Sequence, residues 1–139
     1  MPEQLTPQER HQAQQLLAQY APAQTALAHL EANQGNLDAA FTELWHEKNG
    51  LTTFGPHGTL WQAVKAELRN ELCGDEGFRN KLQTYLKQPG DAAALTSIVI
   101  YVVGLTTLPL DPALATIFVL YIVKFGLNVF CRYTEPEAS

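Results

Sequence analysis

Residues 92–131 read AAALTSIVIYVVGLTTLPLDPALATIFVLYIVKFGLNVFC. The stretch carries two formal charges, Asp111 and Lys124, and is interrupted at Leu108-Pro109-Leu110-Asp111-Pro112. Its pattern is helical on both sides of that break. Asp91 suits an N-cap for a helix over 92–105, extending as far as 108. Asp111 caps a second, with Pro112 at its first position and an end near Tyr133. Pro109 and Asp111-Pro112 force a turn, so the two helices form a hairpin rather than one long rod.

An apolar hairpin has two physical destinations. Spanning a bilayer takes about 20 apolar residues, with ~17 a practical minimum, and residues 92–108 and 112–131 meet that length. Arg79, Lys81 and Lys87 precede the hairpin and Arg132 follows it, while the tip carries no Lys or Arg. An inserted hairpin would therefore keep both ends on the cytoplasmic side. The other destination is the core of a helical bundle. Tyr121, Lys124, Asn128 and Arg132 recur at helical spacing and define one polar stripe on the second arm. Ser97, Tyr101 and Gly104 do so more weakly on the first. In a bundle these stripes would face water, and in an inserted assembly they would face partner helices or a pore.

The remainder of the chain is polar and rich in caps. Residues 1–90 hold 17 charged side chains and residues 91–139 hold six. Thr6, Pro7 and Glu9 predict a capped first helix that ends before Tyr20-Ala21-Pro22. A second runs from Ala23 to Asn33. Gly35 and Asn36 then end it and cap a third, which buries Leu37, Ala40, Phe41 and Leu44. Asn49–Gly58 (NGLTTFGPHG) reads as a linker or corner. Thr59 and Gln62 open a helix to about Leu72, and Asp75 opens another with Phe78, Leu82, Tyr85 and Leu86 on one side. No alternating strand-length run occurs, so the expected class is all-α: a three-helix part over 1–50, a two-helix segment over 51–90, and the apolar hairpin with a short acidic tail over 91–139.

The segment Leu30-Glu-Ala-Asn-Gln-Gly35-Asn36-Leu37-Asp38-Ala39-Ala40-Phe41, with Leu44-Trp45, resembles the second loop and third helix of UBA-like three-helix modules, over about Gln8–Trp45. The stretch corresponding to that family's ubiquitin-contact loop reads Gln19-Tyr20-Ala21-Pro22 and lacks the usual Met-Gly-Phe patch. The resemblance therefore implies the fold without ubiquitin binding. Leu72-Cys73-Gly74-Asp75-Glu76-Gly77-Phe78, Leu110–Thr116, Phe125-Gly126-Leu127 and Phe130-Cys131 resemble an uncharacterised bacterial, largely cyanobacterial, module found in effector or adaptor proteins of prokaryotic conflict systems.

Net charge is −5 and the nine basic residues do not cluster, which disfavours nucleic acid. The N-terminus has no basic start and no apolar h-region, so no cleaved secretory signal is expected. Cys73 and Cys131 lack a metal or redox spacing, and two free thiols in a reducing cytoplasm are expected. His11, His29, His46 and His57 share no metal-ligand spacing. A Cys73 or Cys131 nucleophile assisted by His57 would need a third, orienting group, which no motif supplies. The expectation is thus a non-enzymatic, membrane-associating adaptor or effector without cofactor or small-molecule substrate, whose N-terminal helices bind a protein partner and whose hairpin inserts or oligomerises. It would reside in the cytoplasm, associated with the cytoplasmic membrane through 92–131. The alternative is a soluble all-α interaction module with the hairpin as its buried core or an oligomer interface. Tyr20, Trp45 and Trp61 are candidate partner-surface residues beside the stripe Tyr121, Lys124, Asn128 and Arg132.

Overall fold

A computed structural model describes residues 3–50 and 59–133. Residues 51–58 of the expected corner Asn49–Gly58, with His57, and the acidic tail from 134 lie outside these residues. The described chain forms α1 (Pro7–Leu16), α2 (Ala23–Ala32), α3 (Leu37–Asn49), α4 (Leu60–Leu72), α5 (Glu76–Lys87), α6 (Ala92–Leu105), α7 (Pro112–Phe125) and α8 (Leu127–Tyr133). The all-α class read from the sequence is what is observed.

Helix starts follow local chemistry. Thr6 with Glu9 and Thr59 with Gln62 form reciprocal capping boxes. Asn36, Asp75, Asp91 and Asp111 each accept the backbone N–H three residues on. Each such cap satisfies an N–H that the helix leaves unbonded, an effect of about 1 kcal/mol.

The hairpin's second arm is the centre of the molecule. Every residue of α7 from Ala113 to Ile122 is buried, and α7 packs against α2, α3, α6 and α8. A helix that is apolar all round requires cover on every side, and here protein supplies it. The one aliphatic hydroxyl in this run, Thr116, donates to the Pro112 carbonyl at 2.7 Å. Its polar group is therefore satisfied inside the core.

The expected continuous helix from 112 to about 133 is corrected by a break at Gly126, whose φ of +91° and ψ of 152° suit glycine alone. The remaining 14 residues of α7 extend about 21 Å at 1.5 Å per residue. That is short of a hydrocarbon core of roughly 30 Å. Among the described residues no helix is long and apolar enough to cross a membrane.

The expectation of two free thiols is also overturned. Cys73, after α4, and Cys131, in α8, form a disulfide with Cα atoms 5.9 Å apart and a sequence separation of 58. Tertiary packing of α8 beside the α4–α5 corner makes this pairing, so local spacing carried no sign of it. Closing a loop of that length is worth about 4 kcal/mol in the chain-entropy account.

The N-terminal segment straps the bundle. Leu5 N–H donates to the Gly35 carbonyl at 2.8 Å, and Leu37 N–H to the Glu3 carbonyl at 3.0 Å. This brings Leu5 into the core and presses the strap onto the α2–α3 turn. Gly35 has φ +88°, and a Cβ there would lie 2.1 Å from the Leu5 carbonyl oxygen. Gly35→Ala is expected to cost more than about 2 kcal/mol by urea unfolding. Gly74→Ala, which would meet nothing within 4 Å, should stay within about 0.5 kcal/mol.

Candidate interaction surface

The polar stripe expected on the second arm is divided between interior and surface. Tyr121 is buried at 3% exposure, with its ring edge-on to Trp61 at 5.5 Å and to Phe130 at 6.0 Å. Burial, and then the nearby Glu3 carboxylate, push its phenol well above the ordinary range. Glu3 accepts hydrogen bonds from Trp61 Nε1 at 2.6 Å and Lys65 Nζ at 2.8 Å. The Lys65 ammonium also lies 5.1 Å from the Tyr121 ring centroid and 5.4 Å from that of Trp61. The strap, α4 and α7 are thereby pinned at one point.

Lys124 is likewise committed. Its Nζ donates to the Gln4 carbonyl at 2.5 Å and to Glu9 at 2.7 Å. Asn128 and Arg132 are the exposed members. Tyr121 and Lys124 lie on α7 and Asn128 and Arg132 on α8, beyond the break at Gly126, and N-terminal residues cover the first two, so the stripe is not one surface. Trp45 and Trp61, named as candidate partner-surface residues, are 6% and 1% exposed. Trp45 stacks on Phe41 at 6.1 Å and Trp61 tilts against Phe41 at 5.0 Å. Both are packing residues.

Tyr20 has a different setting. It lines an open groove of about 630 Å³ between the end of α1, α5 and the outer face of α6, with Leu16, Lys81, Ala93, Ile100 and Tyr101. Ile100 is 56% exposed, the most exposed large apolar side chain among the described residues. Ala92 and Ala93 are exposed beside it.

The groove wall is braced by polar ties. Tyr101 donates to Asp75 Oδ2 at 2.5 Å. That bond, then the Phe78 N–H, hold the Asp75 carboxyl below its usual value, and the same bond, then burial, raise the Tyr101 phenol. Lys81 Nζ donates to Ser97 Oγ at 3.1 Å and lies 5.6 Å from the Tyr101 ring centroid. The weak Ser97–Tyr101–Gly104 pattern in the sequence marks this side of α6. The exposed Ile100 went unmarked, because in a run of Ile, Val and Leu no residue type signals which one faces out.

Elsewhere, charged side chains join elements to one another. Glu71 accepts from Thr106 Oγ1 at 2.6 Å and from Thr107 N and Oγ1, both at 2.9 Å, holding the hairpin tip. Asp111 at that tip pairs with Lys48 of α3. His29 lies between Glu43 and Glu47. Among the described residues no group of three or more His, Cys, Asp or Glu is placed to hold a metal ion. Comparison with protein-family models, with curated proteins and with solved structures gives no match to this chain.

Two carboxylates make the fold acid-sensitive. Burial acts to raise Glu9, but the Lys124 hydrogen bond and charge and the Thr6 bonds outweigh it, so its carboxyl lies below the ordinary 4.5. Glu71 is lowered in the same way, burial being outweighed by the Thr106 and Thr107 bonds. A depressed carboxyl contributes stability above its unfolded value, and that stability is lost as pH falls through the folded value. Denaturant titrations across pH should therefore show Glu9→Gln and Glu71→Gln destabilising near neutral pH. Both differences should shrink below pH 4.5. For Glu9, whose side chain is 37% exposed, solvent screening limits the loss to below about 1 kcal/mol.

Proposed function

We propose that this protein is a non-enzymatic adaptor whose apolar hairpin is its own core, and which receives a helical segment of a protein partner in the groove between α6 and the α1–α2 turn. The observation that carries this reading is Ile100. In a helix whose neighbours Leu95, Ile98, Val99 and Val102 are fully covered, a half-exposed isoleucine beside alanines leaves an apolar strip open. Contiguous apolar surface of this kind on a small protein marks interaction sites.

Helix-in-groove recognition uses apolar anchors at i, i+3, i+4 and i+7. The small side chains of Ala92 and Ala93 allow close approach of such a helix. Lys81 on the rim supplies a cation, so the segment that fits is amphipathic and carries a carboxylate on its flank. The resemblance to UBA-like modules adds support, since the Gln19–Pro22 stretch corresponds to their partner-contacting loop, and Gln19 and Tyr20 line this groove. An adaptor role also accords with the resemblance of the C-terminal part to bacterial effector or adaptor modules. Insertion of the hairpin into a bilayer is the less favoured reading, because α7 would first have to leave α2 and α3.

The test is a titration of the full chain, ¹⁵N-labelled, with a synthetic peptide bearing leucines at i, i+3, i+4 and i+7 and glutamates on one flank. Amide shifts are expected at Tyr20, Ala93, Ser97 and Ile100. Replacing the peptide's glutamates with lysines should weaken binding about tenfold, and Ile100→Asp should abolish it. Shifts centred elsewhere, or equal binding of the two peptides, would contradict the reading.

A further inference from the structure

α8 is the shortest helix among the described residues. Its seven residues are too few for an autonomous helix, and Gly126 separates it from α7. Leu127 and Phe130 are its buried side chains. The Phe130 ring meets Phe118 edge-on at 5.3 Å, and Arg69 Nε donates to the Cys131 carbonyl at 3.2 Å. A covalent attachment joins Cys131 to Cys73.

That bond lies at a particular place. A groove of about 340 Å³ separates α8 from α5. Leu86 on one wall and Val129 on the other are 49% and 39% exposed. Cys73 is in the turn from which α5 departs, and Arg79 of α5 reaches its carbonyl at 3.4 Å. The disulfide therefore ties one wall of the groove to the root of the other. Both cysteines are only partly buried.

We propose that Cys73–Cys131 is a redox clamp. Oxidised, it keeps α8 seated; reduced, it lets α8 detach about Gly126, widening the α5–α8 groove and uncovering the seat of Phe130 on Phe118 and Tyr121. The co-reactant is a dithiol. One of its thiolates attacks a cysteine Sγ, the S–S bond breaks, and the other cysteine leaves as a thiolate that takes up a proton. The reductant's second thiolate then displaces the first cysteine and closes its own disulfide. Two electrons and two protons pass to the protein, which ends with two thiols.

Hydrogen exchange read by mass spectrometry on the full chain tests this, comparing oxidised protein, dithiothreitol-treated protein and the Cys73→Ser/Cys131→Ser double variant. Amides of residues 127–133 are expected to exchange at least about tenfold faster after reduction, while 113–122 keep their protection. The double variant should match the reduced protein and ignore dithiothreitol. The treated wild-type chain carries the test by itself if the variant fails to fold. Unchanged exchange in 127–133, an equal rise throughout α7, or two alkylatable thiols in air-purified protein would each overturn the clamp.

Discussion

Removal of ten consecutive residues of α7 from water is the constraint on which the rest of the structure depends. A fully buried Leu, Ile, Phe or Val side chain is worth about 1.5–3 kcal/mol, and Ala113–Ile122 gathers several of them in a single element. Such an element stabilises nothing unless other helices present apolar faces to it. Leu27 and Leu30 of α2, Phe41 and Leu44 of α3, and Ile98 and Val102 of α6 belong to the same core. The amphipathic helices are thus amphipathic because α7 is not. The continuous core running from Leu5 to Phe130 follows from this division of labour.

Charged residues serve mainly as ties between elements that hydrophobic burial alone would leave free to slide. Glu3 binds the strap to α4 beside Tyr121, Glu71 fixes the hairpin tip, Lys48 meets Asp111, and Lys124 meets Glu9. Each joins positions distant in sequence, and each is partly screened by water, so its contribution lies in register more than in stability. The grooves beside α6 and α8 are where this tying leaves apolar side chains uncovered.

Local chemistry made the helix starts and the hairpin turn legible, because caps and prolines act within four residues. Spacing predicted one helical face for Tyr121, Lys124, Asn128 and Arg132, but the break at Gly126 leaves the first two on α7 and the last two on α8. What covers a face is a tertiary fact: Glu3, Gln4 and Glu9 lie more than a hundred residues away, and nothing near 121–124 announces them. The same limit hid the Cys73–Cys131 bond. Gly126 was visible as a letter, but an isolated glycine inside a helical pattern is tolerated at a cost of about 1 kcal/mol against alanine. The groove at Tyr20 was half-legible, through the tyrosine and through Ser97 and Tyr101, and not through Ile100.

The claim that the hairpin is the core of the remaining helices is tested most directly by the chain truncated after Gly90, followed by far-UV circular dichroism through a urea titration. Without α6 and α7, helices α2, α3 and α4 lose the surface against which they fold. The truncated chain is expected to show little helical signal and no cooperative transition. A truncated chain that keeps its helicity and unfolds in one sharp transition would show that the N-terminal helices stand alone, and would contradict the account.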